Sequence, residues 1–280
     1  MVTVDSVSDL PSYASELDAR HRAHLVEFQQ IIQDLPISRG HCVLDLACGD
    51  GLYAELLAHR VGSKGTIIAA DSSKNYLDLA NRKNVCSDRE NLQFLAAEVE
   101  SLPFSDGIFD LVWCAHSLVS FSKPAFALIQ MTRILRPGGW VAVMENDSLH
   151  EVILPWPPEL ELAIRQAELD AYRDQTRRPN KRYIARELQS GFINAGLVHV
   201  YRRTYSIDRS WPIDRPEHEY LCRYLVRLRD LVWPYLSHQH RFQFEQISDP
   251  SSTSFLAAQP GFGMTWFEVV CYGQKATEPN

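Results

Sequence analysis

The stretch Val43-Leu44-Asp45-Leu46-Ala47-Cys48-Gly49-Asp50-Gly51 decides how the chain is read. Val43 to Leu46 has the look of a buried strand: short, mostly apolar and followed by turn residues. The chain then passes through small residues, and Leu52 to Val61 has helical spacing. Small side chains at such a turn let the backbone approach a ligand. The free N–H groups of the helix start can face a polar or anionic group. The same residues also occur where a helix merely packs tightly on a sheet, so the turn alone leaves both readings open.

Outward from this unit, strands and helices alternate. Thr66 to Ala70 predicts a second strand ending at Asp71, and Lys74 to Arg82 a helix. Leu92 to Ala96 and Phe109 to Ala115 predict the third and fourth strands. Pro124 to Leu135 predicts a helix, stopped by Arg136-Pro137-Gly138-Gly139, and Trp140 to Glu145 a fifth strand. Such alternation means βαβ units and a mostly parallel sheet covered on both faces. Upstream, Leu17, His21, His24, Leu25, Phe28, Ile31, Ile32 and Leu35 recur at three- and four-residue spacing, predicting one helix over Ser12 to Leu35. After Glu145 the rhythm breaks. Tyr183 to Ile207 predicts a helix, a turn at Gly196 and a strand, and a helical stretch lies near Glu217 to Tyr235. Met264 to Gly273 predicts the last strand. The expected organisation is one domain over 1–280, with a core at 37–145, 182–208 and 263–275. Insertions at 1–36, 146–181 and 209–262 form a cap.

Composition narrows the function. The 280 residues are 45% hydrophobic and 22% charged, ordinary for a globular chain with a sizeable core. Lysine and arginine total 28 against 35 acids, a net charge of −7, so the basic footprint of a nucleic-acid binder is missing. The local run Arg177-Arg178-Pro179-Asn180-Lys181-Arg182 reads as a solvated loop or helix start. No apolar run is long enough to span a bilayer, and Met1 to Leu10, with Asp5 and Asp9, is no signal peptide. Six cysteines are scattered without a CxxC pair, so neither a metal site nor a disulfide framework is expected, and a reducing cytoplasm fits. A homodimeric state stays open.

The turn is neither the G-x-G-x-x-G of a dinucleotide fold nor a P-loop, since no G-K-[ST] follows. Three acids end successive strands. Asp71 lies about 20 residues past the turn, where a carboxylate receives ribose hydroxyls; it also suits a helix N-cap. Glu98, beside Val99, can accept from an exocyclic amine while the valine packs on a purine face. Asp45 is placed to sit near an ammonium. Together they describe a ligand with an amino-acid end, a ribose and an adenine.

"VLDLACGDG", "AADSS", "AAEVESLPFSDGIFDLVWCAHSL" and "RILRPGGWVAVME" resemble the class I S-adenosylmethionine-dependent methyltransferases, in the branch acting on quinones, sterols and other small molecules. The resemblance covers Val43 to Glu145 well and Tyr183 to Ile207 and the final strand more loosely. It implies a doubly wound, seven-stranded, mostly parallel α/β sheet of Rossmann-like methyltransferase fold, with an N-terminal helix, an inserted helical cap and "MTWFEVVCYG" as an antiparallel last strand. It places Asp45, Ala47, Cys48 and Gly49 around the methionine part of S-adenosylmethionine, Asp71 and Ser72 on the ribose, Glu98 and Val99 on the adenine, and Cys114 beside the cofactor. Ala47 departs from the glycine that many relatives carry.

Methyl transfer to an oxygen or activated carbon calls for alignment, exclusion of water and often a base. His116, just past the fourth strand, is the candidate base; a structural hydrogen bond to a neighbouring loop is the competing reading. His21, His24 and His150 are weaker candidates. Trp156, Tyr172, Tyr183, Trp211, Tyr220, Tyr224, Trp233 and Tyr235 in the insertions suit either the cap's own core or a largely apolar, aromatic or polyketide-like substrate of secondary metabolism. Cys114-Ala115-His116-Ser117 lacks the N/D-P-P-Y/F turn of amino-methylating DNA enzymes, and "PPELELAIRQAELD" lacks the clear acid pair of protein-arginine enzymes. The rivals are a binding protein of the same fold that promotes a rearrangement or acts as a non-catalytic partner, and a nicotinamide oxidoreductase, which the turn disfavours.

Overall fold

The computed structural model describes residues 10–85, 90–147, 149, 151–176 and 179–277, those at 85, 176 and 179–182 by backbone only. Cys86, His150 and the whole basic run at 177–182 therefore lie outside the described side chains. The strands are β1 Cys42–Leu46, β2 Thr66–Asp71, β3 Leu92–Ala96, β4 Phe109–Ala115, β5 Leu135–Asn146, β6 Val152–Leu154, β7 Leu197–Ser210 and β8 Gly263–Lys275. The helices are α1 Ala14–Ala23, α2 Leu25–Gln33, α3 Leu52–Val61, α4 Lys74–Val85, α5 Pro124–Ile134, α6 Pro158–Thr176, α7 Leu188–Asn194, α8 Arg215–Val232 and α9 His238–Ser248.

Strands β1 to β5 run parallel in the order β3–β2–β1–β4–β5. β8 lies antiparallel against β5 on one side and β7 on the other. This is the doubly wound, mostly parallel α/β sheet expected, with "MTWFEVVCYG" inside the antiparallel strand. An eighth strand is added: β6, three residues in the irregular 146–181 stretch, extends the β5 edge along the start of β8. Three residues are too few to show a period-2 pattern.

Burial follows the pleat. In β4, Leu111, Trp113 and Ala115 enter one apolar core and Val112 and Cys114 the other, which Phe109 joins because the β4–β5 register shifts between Phe109 and Leu111. In β1, Val43 faces the first core and Leu44 and Leu46 the second. Alternate residues feeding two cores is what a sheet sandwiched between helix layers requires.

The structure differs at the N-terminus. The single helix expected over Ser12 to Leu35 is two, broken at His24, whose φ of −109° and ψ of 19° leave the helical region. His24 is fully buried, edge-on to Phe28 and Tyr220. The break lets α1 lean onto α8, where Arg22 meets Glu219 at 2.9 Å and Arg227 meets Glu16 at 2.6 Å. Helix α9, in a stretch read as irregular, buries only Phe244, so its sequence offers no apolar stripe; its Ser237 N-cap was the available sign.

Candidate active site

A cavity of about 650 Å³ opens at the carboxyl ends of the parallel strands, where the strand order reverses between β1 and β4. Its size falls in the range of about 300–1,000 Å³ typical of small-molecule sites. The β1–α3 turn forms part of its wall. The Cys48 N–H donates to the Ala70 carbonyl at 3.0 Å, and the Gly49 N–H to Asp71 Oδ2 at 2.9 Å. Three residues of this turn adopt positive φ: Ala47 at 58°, Gly49 at 53° and Gly51 at 85°.

Its glycines separate the two readings of the turn. A Cβ built on Gly49 meets nothing within 4 Å and points into open space. A Cβ on Gly51 meets the Ala80 Cβ at 3.0 Å and the Phe94 ring at 3.3 Å. Gly51 serves helix–sheet packing; Gly49 keeps the cavity wall bare. Asp71 likewise serves as a local anchor, its Oδ1 accepting from the Ser73 N–H at 2.8 Å. Each carboxylate oxygen retains acceptor capacity beyond these bonds.

The wall brings Ala47, Cys48, Gly49, Asp71 and Ser72 together. Glu98, Val99 and His116 complete that surface. Asp45 and Cys114 are absent from it. Asp45 is 1% exposed beneath the turn, its Oδ2 without a partner among the described residues; burial, with Asp71 and Asp50, pushes its pKa well up. Cys114 is fully enclosed in the core that holds Leu44 and Val112. Among the weaker histidines, His21 reaches the wall and pairs with Asp50 at 3.2 Å, whereas His24 does not. Of the aromatics singled out after Glu145, Tyr172 and Tyr224 reach the cavity, while Trp156 packs on Phe244 and Tyr220 on Trp266.

A family model described as "Methyltransferase domain" matches residues 44–143. The segment 44–143 is thus similar to a methyltransferase domain. The demethylmenaquinone methyltransferase of Staphylococcus aureus (strain MRSA252) is 32% identical over 124 residues, 44% of this chain and 51% of the relative. Methyltransferase GfsG of Streptomyces halstedii is 34% identical over 119 residues, 42% of either chain. The chain thus spans about half the length of the curated relatives it matches. A SAM-dependent methyltransferase from Aquifex aeolicus shares the fold, with a TM-score of 0.53, 17% identity, and coverage of 93% of this chain and 98% of that one.

Beyond the glycine turn, the wall holds an ionic cluster assembled from distant segments. His116 itself has a φ of 52°, and its N–H donates to the Met144 carbonyl at 2.8 Å. Its Nε2 lies 2.8 Å from Glu268 Oε2, and Arg20 Nη2 approaches the same nitrogen at 2.8 Å. Arg20 also donates to Glu268 Oε1. Burial, then the charges of Arg20 and His21, holds the His116 pKa well below the ordinary imidazole value. Burial raises the Glu268 pKa, and Arg20 opposes it. Glu145, at the end of β5, is 3% exposed and lines the same cavity.

Arg20, Glu268 and Glu145 are absent from the sequence-based site. Glu268 left a trace: in strand register it shares a face with Trp266, Val270 and Tyr272. A lone carboxylate on such an apolar face needs a buried partner. The partner's identity, Arg20, is 248 positions away and unreadable from spacing.

Proposed function

We propose that the chain binds S-adenosylmethionine across the strand ends and passes its methyl group to an oxygen or carbon of a small molecule with an apolar or aromatic body. The observation that carries this is one continuous cavity joining a bare glycine turn and two strand-end acids to a carboxylate-backed histidine. The group fits these residues: Gly49 leaves room, Asp71 and Glu98 stand ready as acceptors, and Val99 offers an apolar face. When bound, the cofactor supplies an electrophilic methyl on a positive sulfonium. The protein's task is then to hold and deprotonate the acceptor and to exclude water.

His116 is the base in this reading. In the tautomer that can act as the base, Nε2 carries the proton and donates to the ionised Glu268, whereas Arg20, a donor only and also 2.8 Å from Nε2, favours the other tautomer. Arg20, which stays charged, keeps Glu268 a carboxylate. Nδ1, engaged by no hydrogen bond among the described residues, is left as the basic nitrogen at the cavity wall. Glu268 is thus a positioning residue for His116, as second groups that fix a tautomer are elsewhere. The names of the curated relatives favour transfer over rearrangement. The domain organisation expected from the sequence, a cap at 1–36, 146–181 and 209–262 over the sheet, belongs to the same proposal.

Parallel calorimetry with S-adenosylhomocysteine and NAD tests the reading. S-adenosylhomocysteine is expected to bind, NAD not to, and Asp71→Ala to weaken the first by about tenfold, as loss of a charged hydrogen-bond acceptor does. NAD binding without S-adenosylhomocysteine binding sinks the proposal. His116→Ala is expected to leave that affinity unchanged.

A further inference from the structure

The wall supplied by β5 and the cap carries a chemistry that the nucleoside reading does not use. Glu145, Glu151 and Glu168 all stand on it. Glu151 accepts from the Tyr224 hydroxyl at 2.9 Å and lies 3.7 Å from Arg165 Nη1, which also meets Glu168 at 3.1 Å. Glu145 is different. Its Oε1 accepts the N–H groups of Leu118 at 2.8 Å and Val119 at 3.3 Å. Its Oε2 has no donor, and no lysine, arginine or histidine lies within ion-pair distance, among the described residues. Arg20, whose charge reaches Glu145, is committed to Glu268.

A carboxylate that is 3% exposed and unmatched by a cation is costly to keep. Burial accordingly lifts its pKa to about 7. A neutral side chain would serve the two backbone N–H groups as well. What a carboxylate adds is a charge presented to the cavity, the side on which Oε2 remains open. The rest of the wall is acid-rich as well: among the described residues eight acidic side chains line it against two arginines, and three of the acids are met from behind, Asp50 by Lys83 and Glu151 and Glu168 by Arg165. One of those arginines faces Glu268 and the other Glu16. An anionic substrate is repelled from such a wall and a cation drawn to it.

We propose that the substrate carries a basic nitrogen that docks, as an ammonium, on Glu145. The ligand class is a primary or secondary amine on an apolar or aromatic body, with Tyr172 and Tyr224 beside it. This rests on reading the glycine-turn end as the nucleoside site.

The test is calorimetry on protein first saturated with S-adenosylhomocysteine. The probes are three matched sets: 2-phenylethylamine, 2-phenylethanol and 3-phenylpropanoate; tryptamine, tryptophol and indole-3-propanoate; and hexylamine, hexanol and hexanoate. The amines are expected to bind at least about tenfold tighter than their neutral and anionic partners, the scale of one charge-assisted hydrogen bond. Glu145→Gln, which keeps volume and an acceptor for Leu118 and Val119, is expected to erase that preference. Its S-adenosylhomocysteine affinity should match the wild type, which certifies the fold. Equal binding across a set, tighter binding of the acids, failure of every amine to bind, or a preference that survives Glu145→Gln overturns the inference. Failure of wild-type protein to bind S-adenosylhomocysteine is a separate result and sinks the functional reading instead.

Discussion

The two ends of the cavity are built by different rules. The glycine-turn end is local: Ala47 to Gly51, Asp71 and Glu98 follow one another at successive strand ends, and backbone geometry does most of the shaping. The other end is assembled from side chains at positions 20, 116, 145, 168, 224 and 268, drawn from α1, β5, α6, α8, β8 and the loop after β4. It is held by charge rather than by turn chemistry. Local backbone motifs can be exchanged between chains as units; a charge network of remote side chains must be kept whole. The second end is therefore expected to be the more fragile of the two, and the one that sets what is bound beside the cofactor.

Stability measurements can break this comparison. Glu268→Ala leaves the largely enclosed Arg20 without its counter-ion and frees His116, so a loss of about 2–4 kcal/mol in urea unfolding is expected. Asp71→Ala loses two hydrogen bonds to backbone N–H groups and is expected to cost about 1–3 kcal/mol. If Asp71→Ala is the worse of the pair, the fragile end has been misassigned. Glu145→Gln should go the other way. Its carboxyl titrates near 7 in the folded chain against 4.5 unfolded, because burial disfavours the charge. The folded state therefore holds the extra proton between those values, and stability falls as pH rises through that window. Glutamine has no proton to lose. At pH 8 the variant is expected to be about 2–3 kcal/mol more stable than wild type, and at pH 4 nearly equal. A gain that is the same at both pH values would mean that burial is not penalising the charge.

The same division explains what could be read from the sequence. Strands β1 to β4 and the turn at 47–51 were legible because each is a short run with its own period and its own punctuation. Asp71 and Glu98 were legible because strand ends in an open α/β sheet converge on one crevice. The break at His24 was not, since the stripe Leu17 to Leu35 keeps helical spacing through it and only the docking of α1 on α8 bends the chain. β6 was too short and α9 too sparsely anchored to declare themselves. His116 could be picked out by its place after the fourth strand, whereas its partner Glu268 required the antiparallel pairing of β8 against β5, which sets Glu268 opposite Asn146.

Within the turn, the two glycines allow a sharper cut. Gly51→Ala adds a Cβ 3.0 Å from Ala80 and 3.3 Å from Phe94 at a φ of 85°. Crowding and left-handed strain together predict a loss of about 2 kcal/mol. Gly49→Ala suffers only the strain, at a φ of 53° with nothing within 4 Å, and is expected to cost about 1 kcal/mol. Its methyl enters the cavity, so S-adenosylhomocysteine affinity should fall more for Gly49→Ala than for Gly51→Ala. The opposite ranking in either measurement would reverse the roles given to the two positions.

The smallest effect lies at Ala47, held at a φ of 58° on the cavity wall. A left-handed alanine costs about 1–2 kcal/mol relative to its preferred conformation, and glycine escapes that penalty. Glycine also gives the unfolded chain more freedom, which takes back about 0.4–1 kcal/mol. The difference predicts that Ala47→Gly stabilises the protein by only about 0.5 kcal/mol, small enough to require paired denaturant melts. If instead the variant is destabilised, the Ala47 methyl must be contributing packing at the turn that outweighs its strain. The backbone end would then depend on side-chain contacts in the way the charged end does, and the contrast between the two would narrow at the residue where it should be widest.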